Sequence, residues 1–231
     1  MNGFMPPAKN LPRKVDAVVF DMDGLIFNTE ALCRDAVMEA AADAGHDIPL
    51  AFYLSVIGMP GDTTRLAFRE HFGAAFDFDL FWTTATTRLH ETIKSQLRLK
   101  PGVVELLDFL DKAGLPCAIA TSSRHEDVQR NLAIHGLLDR FPTVIARGDY
   151  LRGKPNPDPF LKAAERLGVE PRSCVALEDS HNGVRAAAGA GMMTIMVPDL
   201  LPSTTEMQEL CVNIVQDLHE VRTLLRSRPT A

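Results

Sequence analysis

The stretch Ala17-Val18-Val19-Phe20-Asp21-Met22-Asp23-Gly24 decides the fold. Four apolar residues in a row mark a strand covered on both faces. The chain then breaks at once into two carboxylates and a glycine. Four further runs share the apolar character: Cys117-Ala118-Ile119-Ala120, Thr143-Val144-Ile145-Ala146, Cys174-Val175-Ala176-Leu177 and Thr194-Ile195-Met196-Val197. Val212 to Val215 is a weaker sixth. Helical patterns alternate with them. Val103 to Lys112 carries the stripe Val103, Leu106, Leu107 and Leu110, with Gly114 to close it. Ser123 and Glu126 read as a capping box for a helix that Gly136 ends. Asp158-Pro159 reads as an N-cap with a first-turn proline, followed by Phe160, Leu161, Ala164 and Leu167 and ended by Gly168. Another helix runs from near Asn182 to near Gly191. Strands alternating with helices predict an α/β fold with a doubly wound parallel sheet.

One interval breaks the rhythm. Roughly 95 residues separate the first two strands, far more than one crossover needs. Within it Ala31–Ala44, Leu66–Phe72 and Phe81–Leu97 look helical, and no strand is evident. The expected organisation is therefore a split α/β core, 1–29 and 98–231, with an all-α insert over 30–97. Residues 1–14, with three prolines, read as a floppy leader. An insert leaving the carboxyl end of the first strand is expected to act as a lid, because open α/β sheets bind ligands at that edge.

The 231 residues carry 24 Lys+Arg and 30 Asp+Glu, a net charge of −6. Such a balance argues against a nucleic-acid partner, which calls for a basic face. No apolar run is long enough to span a membrane. The four cysteines (Cys33, Cys117, Cys174 and Cys211) lack metal spacing or the density of a disulfide framework. Cys117 and Cys174 sit inside strand runs as small hydrophobes. A cytoplasmic setting follows by default, and a monomer is expected.

The polar clusters follow directly from strand ends. Asp21-Met22-Asp23-Gly24, Thr121-Ser122-Ser123 and Glu178-Asp179-Ser180 can converge on one edge of a parallel sheet. Each alone also reads as the start of a loop or helix. Asp23 serves equally as an Asx-turn before Gly24, and Ser123 as an N-cap. Together, four carboxylates would repel one another and call for a hard divalent cation, with Mg²⁺ suited to carboxylates, waters and phosphate. Asp21 and Asp23, two apart, can split nucleophile and proton-transfer roles. Thr121, Ser122 and Ser123 offer hydroxyls and N–H groups to an anion. Lys154, in Gly153-Lys154-Pro155-Asn156-Pro157, is held by a proline-stiffened loop or is simply solvated.

These residues resemble the four motifs of the haloacid dehalogenase superfamily. The match rests on Asp21-Met22-Asp23-Gly24-Leu25-Ile26, Thr121-Ser122-Ser123, Gly153-Lys154-Pro155-Asn156-Pro157-Asp158 and Leu177-Glu178-Asp179-Ser180, and spans about Val15 to Val215. Asn182-Gly183-Val184 and Ala190-Gly191-Met192 add framing typical of the family. The helical insert resembles the cap of the β-phosphoglucomutase-like branch, with its sugar phosphatases. The resemblance implies a phosphatase of a small phosphorylated metabolite. Asp21 would be the nucleophile, Asp23 the general acid/base, and Thr121 and Lys154 the holders of the phosphoryl oxygens. Ser122, Ser123 and Gly24 would line the phosphate. Mg²⁺ would lie on Asp21, the backbone carbonyl of Asp23, Asp179 and, directly or one shell out, Glu178. Asn28 stands where the family most often has Asp. Gly61, in Gly58-Met59-Pro60-Gly61, stands where the mutases carry Arg, and Cys33 replaces a mutase-type His. Both changes favour a hydrolase over a phosphomutase. A non-catalytic phosphate binder or signalling receiver is the remaining alternative; a receiver would have no place for the insert. Candidate selectors of substrate are Met59, Thr63, Arg65, Arg69, His71, Trp82 and His90 in the insert, and Arg124 and His125 after Thr121-Ser122-Ser123. Trp82 is expected to pack inside the insert.

Overall fold

The structure, a computed structural model, describes residues 10–59 and 61–227. Six strands lie in one sheet: β1 (Ala17–Phe20), β2 (Cys117–Ala120), β3 (Thr143–Ile145), β4 (Cys174–Glu178), β5 (Met193–Met196) and β6 (Asn213–Ile214). Every pairing is parallel and the order is β3-β2-β1-β4-β5-β6. The α/β doubly wound sheet expected from the apolar runs is present, with β6 shorter than expected.

The helices are α1 (Thr29–Asp43), α2 (Leu50–Val56), α3 (Gly61–Phe72), α4 (Phe78–Gln96), α5 (Val103–Lys112), α6 (His125–Ile134), α7 (Asp158–Leu167), α8 (His181–Gly189), α9 (Thr205–Leu210) and α10 (Leu218–Arg226). The chain divides into two compact units. One holds the described residues up to Phe27 and from Arg98 onward; the other is Asn28–Leu97. In the second unit, α1 and α4 are tied by Arg88 to Glu39 and Asp43. Phe68, nearly fully buried, is ringed by Phe52, Phe72, Phe76, Phe78 and Phe81.

In the sheet unit, side-chain parity positions the chemistry. Ala17 and Val19 of β1, Ala118 and Ala120 of β2, and Cys174 and Ala176 of β4 belong to one cluster with Phe160, Ala163 and Ala164 of α7 and Ala186 and Ala187 of α8. Phe20, of opposite parity, meets Phe141 edge-on at 5.4 Å. Alternation along a strand then carries Asp21 and Glu178 to the α7/α8 side. The register Phe20↔Leu177 sets these two carboxylates side by side.

Several expectations need correction. Ser123 does not cap a helix: α6 starts two residues later, and Arg124 holds the N-cap position without a side-chain bond. Asp158 is the first residue of α7 rather than its cap; its carboxylate takes the Arg152 guanidinium at 2.9 and 3.2 Å. Trp82 is 41% exposed, stacked on Phe78, while Phe81 takes the buried place. Of the leader expected over residues 1–14, positions 1–9 lie outside the described residues, as does Pro60. The described part is anchored: Leu11 is buried and Arg13 donates to the Gly191 carbonyl. Among the described residues, no helix is long and apolar enough to cross a membrane. All four cysteines are free thiols, and burial pushes Cys174 up to about 11 and Cys117 and Cys211 up to about 12.

Candidate active site

The end of β1 makes a tight loop. Gly24 has φ 81°, a left-handed conformation, and its N–H donates to the Phe27 carbonyl at 2.9 Å. Its N–H is thereby committed to the turn, so Gly24 has no donor left for a phosphate. Upstream, the Asp21 N–H binds the Leu177 carbonyl at 2.9 Å, fixing the start of this loop on β4.

Lys154 reaches the pair from the loop before α7. Its Nζ donates to Asp21 Oδ1 and, at 2.5 Å, to Glu178 Oε1. Asn156 closes that loop with two bonds to the Gly153 carbonyl, at 3.0 and 3.1 Å. The ammonium also lies 5.0 Å from the Phe160 ring centre. Glu178 is fully buried. Its Oε2 accepts from the N–H groups of Asp179 and Ser180 and from Ser180 Oγ, at 3.0–3.2 Å. Ser180 Oγ in turn caps α8, accepting from Gly183 N at 3.1 Å.

Asp21, Glu178 and Asp179 are all buried, each with a ligand atom within 4.8 Å of the others. Two of these carboxylates, Asp21 and Glu178, share the Lys154 ammonium. Burial raises the Asp21 carboxyl well above its ordinary range; Lys154 opposes this, and Glu178 and Asp23 add to it. Burial also works against charge on Lys154, but Asp21 and Glu178 outweigh it and hold the ammonium above its usual range. The all-oxygen donor set of Asp21, Glu178 and Asp179 fits a hard divalent cation. Asp23 is not in this cluster through its side chain. It turns toward the second strand-end group, accepting from Ser123 Oγ at 2.6 Å and from Thr121 Oγ1 at 3.4 Å. Ser123 N donates to Thr121 Oγ1 at 3.1 Å.

Asp21, Lys154, Glu178 and Asp179 therefore form one group and Asp23, Thr121 and Ser123 a second, while Ser122 is exposed beside it. His125 bonds Asp149 at 2.9 Å. In the insert, Arg65 is engaged by Asp79 through two 2.6 Å bonds, and His71 stacks on Phe52 at 4.1 Å. Met59 and Thr63 are exposed. Sequence reasoning placed Ser180, Asn156 and Gly183 in motifs but gave them no role; a Cβ at Gly183 would fall 1.7 Å from Glu178 Oε1. The Gly183 spacing after Glu178 was visible; the contact was not.

Residues 15–191 match the family described as haloacid dehalogenase-like hydrolases. Protein CbbY of Rhodobacter capsulatus is 34% identical over 196 residues, covering 80% of this chain and 86% of its own. Hexitol phosphatase B of Escherichia coli K12 is 29% identical over 203 residues, covering 81% and 85%. The crystal structure of CbbY from Rhodobacter sphaeroides in complex with phosphate aligns with a TM-score of 0.74 and 27% identity, over 90% of this chain and 96% of that one. The class so defined is that of the phosphoric monoester hydrolases. The chain belongs to the haloacid dehalogenase-like hydrolases, and it is also similar to a putative β-phosphoglucomutase from Thermotoga maritima, whose crystal structure aligns with a TM-score of 0.77 and 27% identity over 92% of this chain and 99% of that one.

Proposed function

We propose that this hydrolase releases phosphate from a small phosphorylated metabolite, a sugar phosphate or similar monoester, through a phosphoaspartyl intermediate. The observation that carries this reading is the buried Lys154 bridging Asp21 and Glu178 at the sheet edge. Asp21 Oδ attacks phosphorus and becomes the phosphoaspartate. Asp23 protonates the leaving alcohol, then takes a proton from the attacking water; its bonds to Ser123 and Thr121 aim it. Lys154, and Thr121 after rotation of its hydroxyl, meet the oxygens of the transferring group. Ser122 and Ser123 line that group. Mg²⁺ is the cation proposed for Asp21, Glu178 and Asp179, with the Asp23 carbonyl as a further ligand; when bound it supplies charge neutralisation at the phosphoryl oxygens. The relatives support the substrate class: one is named a hexitol phosphatase and one is a phosphate complex. Gly61 and Cys33, in place of the mutase-type Arg and His, favour hydrolysis over phosphomutase activity. Asp23, which a non-catalytic binder would not need, favours an enzyme.

The test is phosphate release from a panel of phosphorylated metabolites and p-nitrophenyl phosphate with Mg²⁺. Asp21→Asn is expected to lower kcat by at least about a thousandfold. Full activity in Asp21→Asn would refute the nucleophile. No release by the wild type from any ester would refute the function.

A further inference from the structure

All three carbonyls of Thr121-Ser122-Ser123 are engaged by one short segment after β3. Tyr150 Oη donates to the Thr121 carbonyl at 3.1 Å, Arg147 Nε to that of Ser122 at 3.1 Å, and Arg147 N to that of Ser123 at 2.8 Å. In a trans peptide the N–H points opposite to the preceding carbonyl. Drawing the 121 and 122 carbonyls toward the β3 segment therefore turns the N–H groups of Ser122 and Ser123 the other way. The Ser123 N–H follows this rule, reaching the Thr121 hydroxyl that in turn reaches Asp23. The donor segment is itself braced. Asp149 N binds the Ala146 carbonyl at 3.0 Å, Asp149 Oδ2 accepts from Ala146 N at 2.9 Å, and His125 bonds the same oxygen. The Tyr150 ring packs on the core cluster and beside Gly153, the residue before Lys154. One tyrosine thus bonds the 121–123 turn and leaves room at Gly153 for little more than a methyl, which would lie 3.5 Å from its ring. Arg147 is exposed, so the core has no need of its side chain.

We infer that Arg147 and Tyr150 are positioning residues, a clamp on the 121–123 turn that sets how the Thr121 hydroxyl and Ser122 N–H meet the transferring phosphoryl group. The inference rests on the phosphatase reading above. Tyr150→Phe keeps the ring and removes the donor; Arg147→Ala removes the guanidinium and keeps the 147 N–H.

Orthovanadate adopts the five-coordinate geometry of phosphoryl transfer and serves as the probe. It is titrated calorimetrically, with Mg²⁺ present, into the wild type and both variants, alongside kcat, KM and the thermal midpoint. Each variant is expected to bind vanadate about three- to tenfold more weakly, the effect of one lost hydrogen bond, with kcat/KM falling in parallel. Midpoints are expected to fall by no more than about 6 °C, the share of one hydrogen bond in a chain of this size. Unchanged vanadate affinity and kcat/KM in both variants would overturn the clamp. So would losses that track a midpoint falling further than this, which mark a purely structural role. If the wild type neither binds vanadate nor turns over any ester, the phosphatase reading itself fails and takes the clamp with it. A wild type that does both, with variants that match it, removes the clamp alone.

Discussion

Gly183 lies five residues after Glu178, in the first turn of α8, where the helix runs against the carboxylate. A methyl there would fall 1.7 Å from Oε1 and 1.8 Å from the carboxyl carbon, deep inside van der Waals contact. Gly183→Ala must therefore push Glu178 off its bonds to Lys154, Asp179 and Ser180. The expected outcome is a loss of about 1–3 kcal/mol in stability from overpacking, read from the urea midpoint. Mg²⁺ affinity, read by calorimetry, is expected to weaken about 10- to 100-fold, as when a ligand loses its support. Ser123 gives the complementary lesson. Its sequence context favoured a capping role, because a capping box depends on local spacing alone. The observed bond to Asp23 joins residues 100 apart in sequence, and local spacing carries no trace of it.

At the scale of elements, the strands were legible because burial on both faces leaves nearly unbroken apolar runs. The candidate site follows from where those runs stop: Asp21, Thr121 and Glu178 each sit at the carboxyl end of a strand. Helix starts were less legible. Asp158 looked like a cap, but Arg152 competes for its carboxylate. The caps of α9 and α10 are Thr204 and Asp217, and α10 carries the buried stripe Leu218, Val221, Leu224 and Leu225. That pattern is present in the sequence, yet it follows a strand too short to announce a further βα unit. Caps also separate stability from chemistry. Ser180→Ala and Thr204→Ala should each lose about 0.5–2 kcal/mol. Only Ser180→Ala should also weaken Mg²⁺ binding, because Ser180 Oγ donates to Glu178 Oε2 at 3.0 Å. Denaturant curves and metal titrations on the pair check this; equal metal affinities would contradict it.

For the whole molecule, the buried acids would link the proposed metal to proton uptake and stability. A carboxyl whose folded value is raised, as at Asp21, stabilises the fold relative to its ordinary behaviour below its unfolded value of about 3.8. That contribution disappears as pH rises through the folded value, and the ionised pocket then opposes folding. Asp79, Asp149, Asp158, Glu165 and Glu206 are shifted down and act in the opposite direction on acidification. Comparing thermal midpoints in Mg²⁺ and in EDTA at each pH cancels their share. Because the cation needs ionised ligands, its stabilising increment should be larger at about pH 8 than at about pH 5. An increment that does not change with pH would count against Asp21 as a ligand. The net charge of −6 takes on a different meaning in this light: part of it is concentrated in one pocket, and it says little about the field a phosphate ester meets.

The order β3-β2-β1-β4-β5-β6 also governs assembly during synthesis. β1 ends at Phe20, yet its neighbours are residues 117–120 and 174–178. As the chain emerges from the ribosome, the strand that bears Asp21 stays an unsatisfied apolar edge while the whole of Asn28–Leu97 is made. That segment finds its partners within its own 70 residues, as α1 does on α4, whereas β1 waits for parallel pairings roughly 100 and 157 residues on. The central strand of the finished sheet is thus made first and paired late, on both of its edges.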